Sequence, residues 1–130
     1  MKILQPPGWP RPKGYACGVS AEGTAVFVSG QIGWDENGRF TAHDIAGQVR
    51  QALANVTAVL AEAGARPEHV VRLTWYVTDK REYLAAQRKI GEAYRDVMGR
   101  HFPAMSVVAV AALVEDDAKV EIEATAVIPR

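Results

Sequence analysis

The residues best suited to chemistry are Glu121 and Glu123, which lie two positions apart near the C-terminus. Residues 120–127 alternate between apolar and polar side chains. This pattern predicts a strand with both carboxylates on one face and their Cα atoms about 6–7 Å apart. A carboxylate on such a face could hold or activate a water molecule in an interface cleft. Alternatively, both glutamates could form interface ion pairs with Arg72 or Lys119, and spacing alone favours the ion pairs.

Three other residues could contact a ligand. Ser29 and Gly30 end a predicted strand, where a hydroxyl and backbone groups could reach a small molecule, although Ser-Gly at a strand end is common. Tyr15 could form a pocket wall or lie as an aromatic residue at a sheet edge. Cys17 has only Lys13 as a basic neighbour that could activate its thiol, so we interpret it as structural.

The usual catalytic and metal-binding motifs are absent from the sequence. It contains no Walker loop, no G-x-G-x-x-G after a strand, no G-x-S-x-G and no H-E-x-x-H. His43, His69 and His101 are scattered, and one cysteine cannot complete a zinc site with them at any usual spacing. We therefore expect no bound metal.

Length and composition predict a single domain over residues 1–130. Fifteen basic and fifteen acidic residues give a formal net charge of zero. This balance argues against nucleic acid as the main partner, because duplex binding usually needs a basic surface. A single cysteine and the lack of a signal peptide indicate the cytoplasm. No segment approaches the ~20 apolar residues of a membrane span.

Hydrophobic periodicity predicts the order β-β-α-β-α-β-β, and therefore an α+β fold. Residues 1–14 form an extended, proline-rich N-terminal arm, which is either loose or docked by Trp9. The predicted strands are residues 15–19, 25–29, 70–78, 106–114 and 120–127.

Both predicted helices carry start and stop signals. Thr41 as the N-cap, with Asp44 three residues later, starts the first helix, and Gly64 ends it. Asp79 starts the second helix and Gly99 ends it. The polar side of the first helix is expected to be solvated at Arg50, Gln51 and Asn55.

The two C-terminal segments predict how the sheet ends. Residues 106–114 are almost all apolar, which is typical of a strand buried on both faces, and the polar residues 115–118 have the length of a hairpin turn. Two helices can cover only one face of the sheet. The other face would expose Glu121, Glu123 and Arg72 beside apolar residues, and a monomer seldom exposes so large a mixed patch. We therefore expect a homo-oligomer.

Several linked motifs carry a family resemblance over about residues 13–128. They are FVSGQIG at 27–33, Q-x-x-Q-A-L-x-N at 48–55, LAEAG at 60–64, HVVR at 69–72 and KVEIEATAV at 119–127. With them the chain resembles the reactive intermediate/imine deaminase family, also called the YjgF-like or L-PSP endoribonuclease-like family.

The resemblance implies a chorismate-mutase-like fold with two helices on one face of a mixed sheet. It also implies a homotrimer in which the sheets form an inner barrel and small-molecule ligands bind in three clefts between subunits. Members of the best-known branch hydrolyse enamines and imines to a keto acid and ammonia, without a cofactor. By position, Glu121 would hold the attacking water, Tyr15 would be a pocket wall, and Ser29 and Gly30 would offer polar contacts.

One departure from the family pattern bears on the substrate. In the deaminating branch the segment after the second helix reads Pro-Ala-Arg-Ser, and its arginine binds the substrate carboxylate, whereas residues 103–106 read Pro-Ala-Met-Ser. Met105 has no charge and no donors, so a bidentate contact worth about 2–5 kcal/mol is lost. Gln87 stands where that branch usually has asparagine. We expect Gln87, Met105 and Ser106 to contact an altered substrate.

Three functions are therefore compatible with the sequence. The first is an enamine/imine hydrolase whose substrate lacks the usual carboxylate. The second is a small-molecule-binding trimer without turnover, in which Met105, Tyr15 and Trp34 line a more apolar cleft. The third is the ribonuclease activity in the family name, against which the zero net charge and the lack of a histidine pair or metal set count.

Overall fold

The computed structural model describes all 130 residues. Its strands and helices, in chain order, are β1 (Lys2–Leu4), β2 (Gly18–Ser20), β3 (Thr24–Ile32), α1 (Ile45–Glu62), β4 (Val70–Val77), α2 (Lys80–Ala85), α3 (Gln87–Met98), β5 (Ala104–Ala109) and β6 (Val120–Ile128). A single 3-10 turn, Pro67–His69, precedes β4.

Strands β3, β6, β4 and β5 lie side by side, in that order, in one mixed sheet. β6 runs antiparallel to β3 and β4, whereas β5 runs parallel to β4 and forms an edge. α1 packs on β3 and β6, and α3 packs beside α1. The predicted α+β fold, with its helices on one face of a mixed sheet, is confirmed.

The predicted hairpin between the last two strands is wrong. Both edges of β6 are already paired, with β3 and with β4, so β6 has no free edge for β5. β5 ends at Ala109, and the polar residues 115–118 make only a local turn. Residues 106–114 are also not buried on both faces of the single chain, since Val108 is 44% and Val114 is 96% exposed.

The alternation predicted for the last strand is present in β6. Its apolar residues face the helices and are at most 5% exposed; they are Val120, Ile122, Ala124 and Ala126. Glu121 and Glu123 point the opposite way and are half-buried.

The first helix has the predicted apolar stripe but a different start. The Asp44 carboxylate, rather than Thr41, caps α1 by accepting a hydrogen bond from the amide of Gly47 at 3.1 Å. Gly64 follows the helix with φ 74°, a left-handed conformation in which glycine is favoured. The buried stripe consists of Ile45, Val49, Leu53, Val56 and Leu60.

The expected solvation of the polar side of α1 holds for Arg50 only. The Asn55 amide donates to the backbone carbonyls of Ile32 and Trp34, at 3.0 and 2.8 Å, and Gln51 donates to the Asn55 side chain at 2.9 Å. These side chains therefore anchor the end of β3 to the helix, and the prediction of a solvated face is wrong for them.

The second predicted helix is divided at Ala86 into α2 and α3. Its predicted N-cap is confirmed, because Asp79 accepts from the amides of Arg81 and Glu82 at 2.9 and 3.0 Å. Gly99 ends α3 with φ 72°. None of the helices combines the length and apolarity that a membrane span requires.

The N-terminal segment is partly ordered into a strand, which the sequence did not predict. β1 pairs antiparallel with β2, and β2 begins three residues later than the predicted edge strand. The proline-rich stretch between them has no helix or strand. Trp9 is 61% exposed, so it does not dock the arm.

Gln48 is the one fully buried polar side chain of the core, at 1% exposure. Its amide nitrogen donates to the carbonyls of Ala42 and Asp117, at 3.2 and 3.0 Å, and its oxygen accepts from the amide of Lys119 at 2.8 Å. One side chain thus joins the start of α1 to the segment that enters β6.

Replacing Gln48 by leucine should lower the free energy of unfolding by about 1–3 kcal/mol, because three buried backbone groups would lose their partner. Urea unfolding would measure the change. Gln51→Leu on the same helix is the matched control and should cost less, since the Gln51 amide bonds only the Asn55 side chain. Equal losses in the two variants would contradict the role given to Gln48.

Candidate functional site

One face of the sheet carries no helix and is termed here the uncovered face. It is formed by Phe27 and Ser29 of β3, Arg72, Thr74 and Tyr76 of β4, Ser106 and Val108 of β5, and Glu121, Glu123 and Thr125 of β6. Paired residues of neighbouring strands present their side chains on the same face. The register therefore brings polar groups from four strands together.

Tyr76 connects the two strands that carry most of these groups. Its hydroxyl donates to Glu123 Oε1 at 2.8 Å, and the register pairs it with Glu121. The hydrogen bond to Glu123 raises the pKa of Tyr76 above its ordinary value of 10, with further contributions from burial and from the two negative charges, while Arg72 lowers it. A phenolate beside two carboxylates is unfavourable, so Tyr76 stays a donor.

The ion pairs considered for the two glutamates are absent from the single chain. Lys119 pairs instead with Glu82, at 2.9 Å, and neither Glu121 nor Glu123 has a cation within ion-pair distance. Glu121 is therefore free to accept a proton or a hydrogen bond from another molecule.

A bulge in β3 brings Gly30 against Glu121. The register between β3 and β6 shifts between Val28 and Gln31. A Cβ atom at Gly30 would collide with the Glu121 carboxylate, so a larger residue here would force that side chain to move. Ser29, the preceding residue, lies in a shallow depression of the uncovered face.

A second group of predicted residues lies in a cavity on the helix side of the β4–β5 edge. This Met105 cavity has a volume of about 630 Å³ and is lined by Tyr15, Gln87 and Met105 among other residues. Gln87 donates to the carbonyl of Tyr83 at 3.0 Å. The aromatic rings of Trp75, Tyr94 and Phe102 also line the cavity.

The single chain therefore separates the predicted site residues into two groups. Ser29, Gly30, Glu121 and Ser106 belong to the uncovered face, whereas Met105 pairs in register with the buried Leu73 and lies on the helix-covered side. Within one chain the carboxylate and the Met105 cavity are on opposite faces of the sheet.

Some side chains around the two groups were missed or misplaced by the sequence analysis. Lys13 and Arg95 line the Met105 cavity. Arg95 could have been found from its spacing, since it lies eight residues after Gln87 and two helical turns on the same face. Trp34 does not line this cavity; its ring lies 6.0 Å from that of Phe40, and it shares a separate depression with Asn55 of α1. No group of three or more His, Cys, Asp or Glu side chains could hold a metal ion.

Comparison with known proteins places the chain in a family. The family model described as endoribonuclease L-PSP matches residues 11–128. The chain belongs to the endoribonuclease L-PSP family. The predicted resemblance is thereby confirmed.

Members of the L-PSP family with solved structures or curated names resemble most of the chain. The 2-iminobutanoate/2-iminopropanoate deaminase of Salmonella typhimurium is 39% identical over 113 residues, which is 87% of this chain and 86% of the deaminase. The Rid family protein YyfB of Yersinia pestis matches with a TM-score of 0.86 and 32% identity, over 98% of both chains. Escherichia coli TdcF, solved with bound serine, matches with a TM-score of 0.69 and 35% identity, over 98% of this chain and 99% of TdcF. The chorismate-mutase-like fold is confirmed.

Replacing Glu123 by glutamine should lower the pKa of Tyr76 towards 10, because a neutral amide no longer opposes the phenolate. Tyrosine ¹³Cζ shifts followed against pH would report the change, with Tyr76→Phe to assign the resonance. In the native protein the raised pKa favours folding below pH 10, and this contribution is lost as pH rises through the pKa of folded Tyr76. An unchanged titration in Glu123→Gln would show that the carboxylate does not control Tyr76.

Proposed function

We propose that this protein is a cofactor-independent hydrolase of reactive enamines or imines, acting in the cytoplasm in clefts between the subunits of a homotrimer. The observation that carries the proposal is the Glu121 carboxylate on the uncovered face, unpaired and held against Gly30. Relatives of similar length named as imine deaminases support it.

In the proposed reaction a water molecule held by Glu121 adds its oxygen to the imine carbon. Glu121 takes a proton from this water and delivers it to the nitrogen, which gives a carbinolamine. Glu121 then takes the hydroxyl proton of the carbinolamine and delivers it to the nitrogen as the C–N bond breaks. Water and imine are thereby converted to a carbonyl compound and ammonia. Ser29 and Gly30 would orient the substrate, and Glu121 ends each cycle in its starting protonation state.

The separation of the two residue groups supports a site shared between copies. A second chain packed at the β5 edge could set its uncovered face against the Met105 cavity, so that the carboxylate of one copy faces Tyr15, Gln87 and Met105 of another. Exposed apolar side chains at this face, such as Phe27 at 77% exposure, would be buried by the same contact.

Because Met105 carries no charge, we expect the substrate to differ from that of the named deaminases. A thioether cannot replace the two parallel hydrogen bonds of an arginine to a carboxylate. Small imino acids held only at this position should therefore be poor substrates, and the native substrate should be anchored in another way.

A small-molecule-binding trimer without turnover is the second candidate. The Met105 cavity favours it, because about 630 Å³ with largely apolar and aromatic walls is typical of a ligand-binding pocket even where no chemistry follows. Ribonuclease activity has less support, since the chain has no net positive charge.

The protein should be a homotrimer that buries the uncovered face. Size-exclusion chromatography with light scattering should give a mass of about 42 kDa, three times the chain mass of 14.1 kDa. Phe27→Glu should weaken the assembly, because it places a charge on an exposed apolar residue of that face. A wild-type mass of 14.1 kDa at micromolar concentration would refute the trimer.

Met105→Arg should raise ammonia release from 2-aminoacrylate-type imines by at least about tenfold, because it adds the missing carboxylate contact. The imine can be generated by an amino-acid oxidase in a coupled assay. Met105→Gln is the matched control, of similar length but without charge, and should give no gain.

A second substitution tests the place of the water. The gain in Met105→Arg should disappear when Glu121→Gln is added, because the amide cannot accept a proton from water. A folded, trimeric Met105→Arg variant with no gain would favour the binding-module alternative. A gain that survives Glu121→Gln would assign the water to another residue.

A further inference from the structure

The Met105 cavity contains two positive charges and no negative one. Lys13 and Arg95 are its only ionisable groups apart from tyrosines. Both side chains are exposed, and neither forms an ion pair or a side-chain hydrogen bond within the chain. A concave site with this charge pattern attracts anions.

The position of Arg95 follows from the helix that carries it. Gln87, Gly91 and Arg95 recur every four residues on one face of α3, and all three line the cavity. Arg95 Nη1 lies 3.2 Å from the place that a Cβ of Gly91 would occupy, so the guanidinium folds back over a residue without a side chain. Arg95 thus belongs to the α3 wall of the cavity, and Met105 to the β5 wall.

One residue that lines the cavity carries a buried donor without a partner. Trp75 lines the cavity and is only 2% exposed, and its indole Nε1 is the single buried side-chain polar atom without a hydrogen bond. Buried polar atoms are normally paired with protein groups or ordered water, so an unpaired one calls for an explanation. The Trp75 ring therefore reports on this wall of the cavity.

We propose that the Met105 cavity binds an organic carboxylate, with Arg95 as its main anchor and Lys13 as a second cation. In this arrangement Arg95, on the α3 wall of the cavity, provides the positive charge that Met105, on the β5 wall, lacks. The rings of Tyr15, Tyr94 and Phe102 fit a ligand with an aromatic or other large apolar body.

The size and charge of this cavity indicate which imines the protein would hydrolyse, an inference that rests on the proposed hydrolase function. A three- or four-carbon imino acid is small for a cavity of about 630 Å³. We therefore expect carboxylate-bearing imines with an aromatic or large apolar side chain, such as the imine of phenylalanine, to be preferred.

Binding can be tested with benzoate, and with benzamide as its neutral match, by titration calorimetry on the full-length protein. Benzoate should bind at least about tenfold more tightly than benzamide, and Arg95→Gln should remove this preference. Arg95→Lys should keep part of it, because the charge remains without the planar fork. Arg100→Gln is the control: it removes the same charge just after the same helix, from an exposed residue outside the cavity, and should change nothing.

The indole N–H resonance of Trp75, assigned with Trp75→Phe, reports whether benzoate binds in this cavity. It should shift on adding benzoate to the native protein, and the shift should need a higher benzoate concentration in Arg95→Gln. No benzoate binding at about 10 mM, equal affinity for benzamide, or an equal effect of Arg100→Gln would overturn the proposal.

Ammonia release from the imine of phenylalanine separates this inference from the hydrolase function. Benzoate binding that depends on Arg95, without any imine hydrolysis, would support the anion site and refute the hydrolase. Hydrolysis that is insensitive to Arg95→Gln, in a protein that does not bind benzoate, would support the hydrolase and refute the anion site.

Discussion

The structure depends on a sheet that is covered on one face only. The inward side chains of β6 and β4 are fully buried against α1 and α3, as at Leu73 and Ile122. The chain has no further element for the opposite face, which carries Glu121 and Glu123 together with exposed apolar groups such as Phe27. Burying a large apolar side chain is worth about 1.5–3 kcal/mol, so this face favours association. Stability and function are therefore expected to depend on the same surface.

Buried polar groups hold the covered side in register with the uncovered one. Gln48 ties the start of α1 to the segment entering β6, and Asn55 ties its middle to the end of β3. Because Glu121 and Gly30 lie on these two strands, the amides of the helix help to fix the geometry of a carboxylate on the far face of the sheet.

The edge strand β5 is where the two residue groups come closest in the chain. Met105 and Ser106 are adjacent and point to opposite sides, one towards the cavity and the other towards the uncovered face. A substitution on such a strand changes one side without disturbing the other. A change at Met105 is thus compatible with an intact fold, and Arg95 of α3 and Lys13 of the N-terminal segment line the same cavity.

The features that the sequence predicted correctly are those encoded by neighbours along the chain. The alternation in β6 identified its buried face, the spacing from Ile45 to Leu60 identified the stripe of α1, and Asp79 identified a cap. The linked motifs also identified the family. Periods of 2 and 3.6 residues and side chains that cap nearby amides are local, so a short window contains them.

Pairings between distant segments were decided only by the tertiary structure. The apolar residues 106–114 fitted the pattern of a hairpin strand that pairs with β6. In the structure β3 and β4 occupy both edges of β6 instead, and the residues next to 106–114 in the chain do not indicate this pairing. For the same reason the polar face of α1 was expected in water, although Asn55 finds carbonyls more than twenty residues away. By itself the sequence determined the buried faces of α1 and β6 and that Glu121 faces away from the core. The tertiary structure decided which strands are neighbours and that Arg95 shares a cavity with Met105, because both depend on hydrogen bonds and packing between residues far apart in the chain.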